Sequence, residues 1–285
     1  MASAASRGAK IGYAVRSYAN LAPYVFFALF PFYFMLVTSF KSNAELYNLK
    51  SIPFWIQTGV ITEHYRFLFA RTEFLVWMKN TLMVSVVATA VSVGLSILAG
   101  YSLARLRFRG AAIFGIAVFI TYLVPPTLLF LPLSQVVVWL GISDSIVALM
   151  VTYPTFLVPF STWLLMGYFR TIPREVEECA LVDGATRMQT LWKIVLPMSV
   201  PGIICALLFS FTFCWNEFIY GLTFISQSAH KTAVVGVTAD LIRGDIYYWG
   251  SLMAGAVLAS VPIVVCYVLF LDYYVSGLTA GAVKG

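Results

Sequence analysis

Six apolar stretches divide the chain: Leu21–Phe40, Asn80–Ala104, Ala111–Leu133, Ser145–Phe169, Val200–Phe224 and Trp249–Tyr273. Each comes near or above the roughly 20 helical residues that cross a bilayer core of about 30 Å. They lack the strict in-and-out alternation of barrel strands and are too long to be such strands. Only 11% of residues are charged while 61% are hydrophobic, too few charges to keep a soluble domain of 285 residues in water. The expected fold is all-α: a polytopic membrane protein with six transmembrane helices across 21–275. A segment 1–20 precedes them, a water-facing loop 170–198 interrupts them and a tail 276–285 follows.

Lysine and arginine set the orientation. Arg7, Lys10 and Arg16 precede the first span, Arg105, Arg107 and Arg109 crowd the turn between spans two and three, and Arg170, Arg174, Arg187 and Lys193 lie in the loop, with Lys284 in the tail. Lys41, Lys50, Arg66, Arg71, Lys79, Lys231 and Arg243 fall on the other side, most of them in one long loop. Both termini and the loop 170–198 are therefore expected in the cytoplasm. This rule accounts for the net charge of +6, and no basic face is left for nucleic acid. The first apolar stretch exceeds a signal-peptide core, and LVTSFKSN after it is a poor cleavage site, so it is read as a membrane helix.

Several chemistries are excluded. Cys179, Cys205, Cys214 and Cys266 form no CxxC pair and read as small apolar residues. No GxxxxGK[ST] loop is present to cradle a nucleotide phosphate, and no GxSxG elbow. His64 and His230 are the only histidines and form no HExxH. No catalytic residue, no metal site and no cofactor bound by this chain are expected.

Small residues recur every fourth position in span two, at Ala88, Ser92, Ser96, Gly100 and Ala104. Such a stripe lets another helix approach closely, and packing within the chain is favoured over a subunit interface. Pro125, Pro126 and Pro132 interrupt span three, and Pro154 and Pro159 interrupt span four. The kinks either line a substrate path or merely pack. In span five, Asn216 and Glu217 stand in FTFCWNEFIYGL. Glu217 lies roughly 24 Å along the helix from Pro201, in the outer part of the bilayer. A carboxylate there faces a watery path or is paired for structural reasons. Asp272, at the inner end of span six, is expected at the interface.

The loop contains EECALVDGATRMQTLWKIVLP, residues 177–197, which is charged yet patterned. Pro173 opens a short helix whose first turn carries Glu175, Glu177 and Glu178, suited to the positive end of its dipole. Gly184 is placed as a left-handed terminator, and Thr186 with Gln189 forms a capping-box signature. Met188, Leu191, Trp192, Val195 and Leu196 then make an apolar stripe that Pro197 closes. Two short helices meet at an Asp183–Gly184 corner. Resting on lipid headgroups would explain the stripe; a knob that docks into a partner also explains the acidic first helix and the fixed corner.

These residues resemble the permease subunits of binding-protein-dependent ABC importers, marked by EAA, three residues, G, nine residues, I, one residue, LP. Glu178-Cys179-Ala180, Gly184, Ile194, Leu196 and Pro197 keep every spacing, with Cys179 as the one departure. The stretch WNEF at Trp215–Phe218, the tail GLTAGAVKG at Gly277–Gly285 and the outer-loop runs TEHYRFLF and WMKNTL are similar to sugar importers of the maltose type.

The resemblance implies a cytoplasmic (inner) membrane location in a bacterium or archaeon. It also implies a second homologous permease, a homodimeric ATPase that uses ATP and Mg2+, and an extracytoplasmic sugar-binding protein. Glu178, Cys179, Ala180, Leu181, Asp183 and Gly184 would form a coupling-helix surface for the ATPase, joined by Thr279, Gly281 and Lys284 of the tail. Asn216, Glu217, Pro125 and Pro126 would border the path, with the companion permease as the other contributor to sugar contact. Alternatives are a permease for a phosphorylated polyol such as glycerol phosphate, a non-transporting membrane scaffold, and a membrane enzyme using Glu217 and Asp272.

Overall fold

In the computed structural model, which describes residues 2–243 and 246–279, the apolar stretches are helical, because in lipid every backbone group must be bonded internally. Four helices are long and apolar enough to cross a membrane, and six spans result if each of two bent pairs counts as one. The chain forms two compact units, residues 1–72 with 241–258 and residues 73–240 with 259–285.

The first unit opens with α1 (Ala2–Ser39), whose part Gly12–Ser39 qualifies as a span. It continues through α2 (Asn43–Leu46) and α3 (Glu63–Arg71). A two-residue antiparallel pairing, β1 (Ile242–Arg243) with β2 (Ile246–Tyr247), is a small exception to the all-α expectation. Around α2, a buried carboxylate organises the loop. Glu45 accepts hydrogen bonds from the Gln57 and Thr58 backbone at 3.0 and 3.1 Å and from Thr58 Oγ1 at 2.7 Å. The Lys41 ammonium lies 3.3 Å from it and donates to the Ile52 and Pro53 carbonyls. Burial alone would raise the Glu45 pKa, but these hydrogen bonds, led by Thr58, hold it at about 2.

The second unit contains α4 (Phe74–Arg105), α5 (Ala111–Leu123), α6 (Pro126–Trp139), α7 (Ile146–Thr152) and α8 (Pro154–Phe169). The loop region follows as α9 (Arg174–Val182), α10 (Arg187–Thr190), a π-helical turn Leu191–Val195 and α11 (Leu196–Met198). Then come α12 (Val200–Asn216), α13 (Ile219–Phe224) and α14 (Ala233–Leu241). Helix α15 (Trp249–Leu269) passes from the first unit into the second, and α16 (Leu271–Thr279) ends the described chain, with Asp272 exposed in its first turn.

The small-residue stripe of α4 is buried and faces α8. Ser96 Oγ donates to the Val158 carbonyl at 3.2 Å, and a Cβ added to Gly100 would sit 3.2 Å from Met166 N and 3.3 Å from the Thr162 carbonyl. In this chain the stripe serves internal packing.

Span three is kinked at its prolines as the sequence predicts, whereas span five is not the continuous helix its pattern suggests. Between α5 and α6 the chain bends by 95°. Pro125 and Pro126 have no N–H to give, and the residue before them, Val124, is driven to an extended ψ of 122°. Span five breaks at Glu217, whose ψ of 130° ends α12 before α13 begins. Span four bends little at Pro154, because Tyr153 keeps helical angles of −58° and −36°.

Two outcomes follow. Gly100→Leu should force α4 from the α8 backbone and cost about 1–3 kcal/mol, seen as lost monodisperse yield and a lower melting temperature in detergent; unchanged melting would refute the close seam. For Glu45, the folded value below its ordinary 4.5 means its stabilisation is complete above pH 4.5 and is lost as pH falls towards about 2. Hydrogen exchange at Gln57 and Thr58, corrected for intrinsic rates, should therefore stay slow near pH 5 and quicken in Glu45→Gln at the same pH.

Candidate functional site

Loop 170–198 is held from one side and open on the other. Pro173 precedes α9, and Glu177 in its first turn points inward. Its Oε1 lies 2.8 Å from Arg105 Nε at the end of α4, with the two side chains 5% and 4% exposed. The N–H there is poorly aligned for a hydrogen bond, so the attraction is chiefly between the charges. Tyr101, one turn before Arg105, donates to Glu177 Oε2 at 3.2 Å, and the Arg105 guanidinium donates to the Ile172 carbonyl. The sequence pattern assigns Glu177 only a dipole role. Tyr101 and Arg105, four residues apart, share one face of α4, but their spacing does not point to a partner 72 residues on.

Helix α9 ends in a Schellman motif. Ala185 N donates to the Ala180 carbonyl at 3.0 Å and Gly184 N to the Leu181 carbonyl at 3.1 Å, with Gly184 at φ +86°. The Thr186–Gln189 capping box then starts α10, both of its hydrogen bonds being present. Helix continues through Pro197 to Met198, beyond the expected stop, because the π turn before it relaxes the ladder that proline cannot join.

The apolar stripe of this segment serves two surfaces. Leu191 and Val195 are buried in a core with Tyr101, Leu165 and Phe169, whereas Met188 and Trp192 are exposed. Glu178, Cys179, Asp183 and Gly184 are also exposed, Val182 is 86% exposed, Leu181 is half-buried and Ala180 is buried. Among the described residues nothing lies within 4 Å of a Cβ added to Gly184. The corner thus presents a mixed acidic and apolar surface on a rigid mount. Thr279 is the last residue of α16, and Gly281 and Lys284 lie outside the described residues. Gly277 of α16 sits where a Cβ would meet the Pro201 carbonyl at 2.7 Å, against the start of α12.

The breaks in spans three and five border one cavity of about 620 Å³, whose walls include Tyr122, Pro126, Phe156, Phe160, Asn216 and Glu217. Pro125 caps α6 beside it and is not in the wall. Asn216 is exposed and donates to the Thr212 carbonyl of its own helix at 2.9 Å. Glu217 accepts from Tyr220 N at 2.8 Å, Gly221 N at 3.1 Å and Tyr153 Oη at 2.9 Å. Its carboxylate caps α13, a structural task performed at the cavity wall. Asp144 (φ +57°) makes a comparable tie that sequence reasoning missed. It accepts from Ser226 N and Gln227 N, and those amides, Gln227 first, hold its carboxyl below its usual pKa. Among the described residues no group of three or more His, Cys, Asp or Glu could hold a metal ion.

Residues 92–279 match the family described as binding-protein-dependent transport system inner membrane component. The chain is 37% identical to the inner membrane ABC transporter permease protein YcjP of Escherichia coli, over 94% of this chain and 95% of that protein. It is 34% identical to the trehalose/maltose transport system permease protein MalG of Thermococcus litoralis, over 90% and 92% respectively. In fold it is similar to a chain of a bacterial ABC transporter involved in import of the acidic polysaccharide alginate. The TM-score is 0.75 at 19% identity, covering 93% of this chain and 98% of that one.

The two adjacent glutamates should behave oppositely. Glu177→Ala leaves Arg105 buried and unpaired, a loss of about 3–5 kcal/mol, and should free α9 to rapid hydrogen exchange. Glu178→Ala, on the exposed face, should leave exchange and melting of the purified chain unchanged. Equal protection in both variants would refute the anchoring role of Glu177.

Proposed function

We propose that this chain, which belongs to the binding-protein-dependent transport system inner membrane components, works as a permease subunit of an ATP-driven carbohydrate importer. The observation that carries the proposal is the loop corner: a rigid double-helix knob, anchored through Glu177, Leu191 and Val195, whose outer face is left uncovered by the described residues. Exposed Val182, Met188 and Trp192 among acidic residues suit a protein groove.

In this reading Glu178, Cys179, Ala180, Leu181, Asp183 and Gly184 form the coupling surface for a homodimeric ATPase, and the tail with Thr279, Gly281 and Lys284 reaches the same partner. The loop and both termini face the cytoplasm. A second permease completes the path, and a binding protein delivers substrate on the other side. ATP and Mg2+ are used by the ATPase, and this chain supplies the moving walls.

Carbohydrate is favoured by the relatives and by the cavity. The related permease of Thermococcus litoralis is named for trehalose and maltose, and one of Streptomyces coelicolor for diacetylchitobiose. Tyr122, Phe156 and Phe160 give the cavity aromatic faces beside the Asn216 amide. Among the described residues no lysine or arginine lines it and Glu217 does, which disfavours a phosphorylated polyol. Asp272 is not in its wall, which disfavours a two-carboxylate enzyme.

Gly184→Glu tests the corner. Positive φ makes a side chain cost about 1 kcal/mol, but no atom of the described residues stands in its way. Expression and membrane insertion should stay near normal while capture of the ATPase and sugar uptake fall at least about tenfold. Glu178→Lys should act likewise, whereas a lipid-resting loop would gain membrane affinity from the added lysine. Full capture and uptake in both variants would overturn the coupling role.

A further inference from the structure

We propose that the cavity between the α4–α5 turn and the α8–α9 turn binds the phosphate headgroup of an anionic phospholipid. The cavity has a volume of about 820 Å³, and Arg105, Arg107, Arg109, Arg170 and Arg174 all line it. Among the described residues no carboxylate is in its wall. Arg105 is paired with Glu177. Among the described residues the other four arginines have no ion-pair partner. The four unpaired guanidiniums round one space repel one another unless an anion sits between them, and their planar forks match phosphate oxygens. A preference for positive charge on one membrane side explains arginines in these turns. It does not require that they converge on one chamber.

The remaining wall distinguishes a lipid from a free anion. Leu103, Leu106 and Phe108 give the chamber an apolar side, and Ala111 and Ala112 are the first residues of the membrane helix α5. The chamber therefore lies where a span begins, at headgroup depth. Outward from it, α5 exposes Ile113, Phe114 and Ile116, each at least 59% exposed, as a surface for acyl chains. The 13-residue α5 also has no side-chain cap at its N-terminus, so the positive end of its dipole adds to the field. An adjoining cavity of about 430 Å³ shares Arg105, Arg107 and Arg174 and extends to Glu177 and Glu178. A bound headgroup would thus neutralise the arginines that surround the anchor of α9. Which leaflet supplies the lipid rests on the orientation proposed above; the binding itself does not.

Native mass spectrometry of the purified full chain in neutral detergent tests the site, using phosphatidylglycerol and phosphatidylcholine of the same acyl chains. The wild type should retain phosphatidylglycerol about tenfold or more over phosphatidylcholine. Arg107 and Arg109 are exposed, so Arg107→Gln/Arg109→Gln should fold normally and cut that preference to about twofold or less. Lys193→Gln, an exposed cation outside the chamber, should leave it unchanged. Lack of preference in the wild type, or a preference intact in the double variant, would overturn the proposal. So would displacement of the lipid by equimolar inorganic phosphate, which would assign the site to a free anion. Loss of ATPase capture in the double variant with lipid preference intact would assign the arginines to a protein partner and likewise refute the lipid.

Discussion

A backbone N–H in a bilayer has no water to bond, so each interruption of a helix must be answered by another group. Glu217 is that answer in this chain. At the break after α12 its carboxylate accepts the Tyr220 and Gly221 amides, and the Tyr153 hydroxyl from α7–α8 holds it in place. The glycine is part of the device, since a Cβ at Gly221 would meet Val235 Cγ2 at 2.8 Å. The break at Glu217 and the 95° bend at Pro125 and Pro126 both border the aromatic cavity. Without this carboxylate, the Tyr220 and Gly221 amides at the start of α13 would lose their acceptor.

A second buried carboxylate solves a different problem. A short helix such as α9 has little stability of its own, so its position has to come from tertiary contacts. Glu177 supplies one by burying its charge against Arg105, with Tyr101 as a further donor. A buried pair adds little net stability compared with apolar packing, but it tolerates few alternative placements. Leu191 and Val195 hold the other half of the loop by ordinary burial. Neighbouring residues Glu177 and Glu178 thus divide the work, one facing the core and one facing out.

Much of this was legible in the sequence. Gly184 as left-handed corner, the Thr186–Gln189 box and the small-residue seam of α4 are local features with local physical causes, and the structure contains each. The prolines of span three announced its bend, but the break in span five was less legible for reasons of range. Apolar residues continue on both sides of Asn216–Glu217, so period and length cannot distinguish one long helix from two. What breaks span five is a partner from elsewhere, Tyr153, together with a side chain folding back on its own amides. The stripe from Met188 to Leu196 was read as one face, yet it spans a wide enough arc to touch core and solvent at once. Arg105 was counted as one of three topogenic arginines, and its pairing with Glu177, 72 residues on, could not be seen from spacing.

The loop and the cavity share their supports. Glu177 is fixed to the end of α4, and Leu191 and Val195 pack among residues of α4 and α8. These two helices touch along the seam at Ser96 and Gly100, where small side chains leave backbones in near contact. Tyr153, at the opposite end of α8, holds Glu217 at the cavity wall. A long flexible side chain in that seam would absorb displacement by changing rotamer. Backbone packed on backbone has no such freedom, because interiors at crystal-like density resist compression. Small residues in α4 therefore do more than fill space: they join the mount of the loop corner to the wall of the cavity through contacts that cannot yield side chain by side chain.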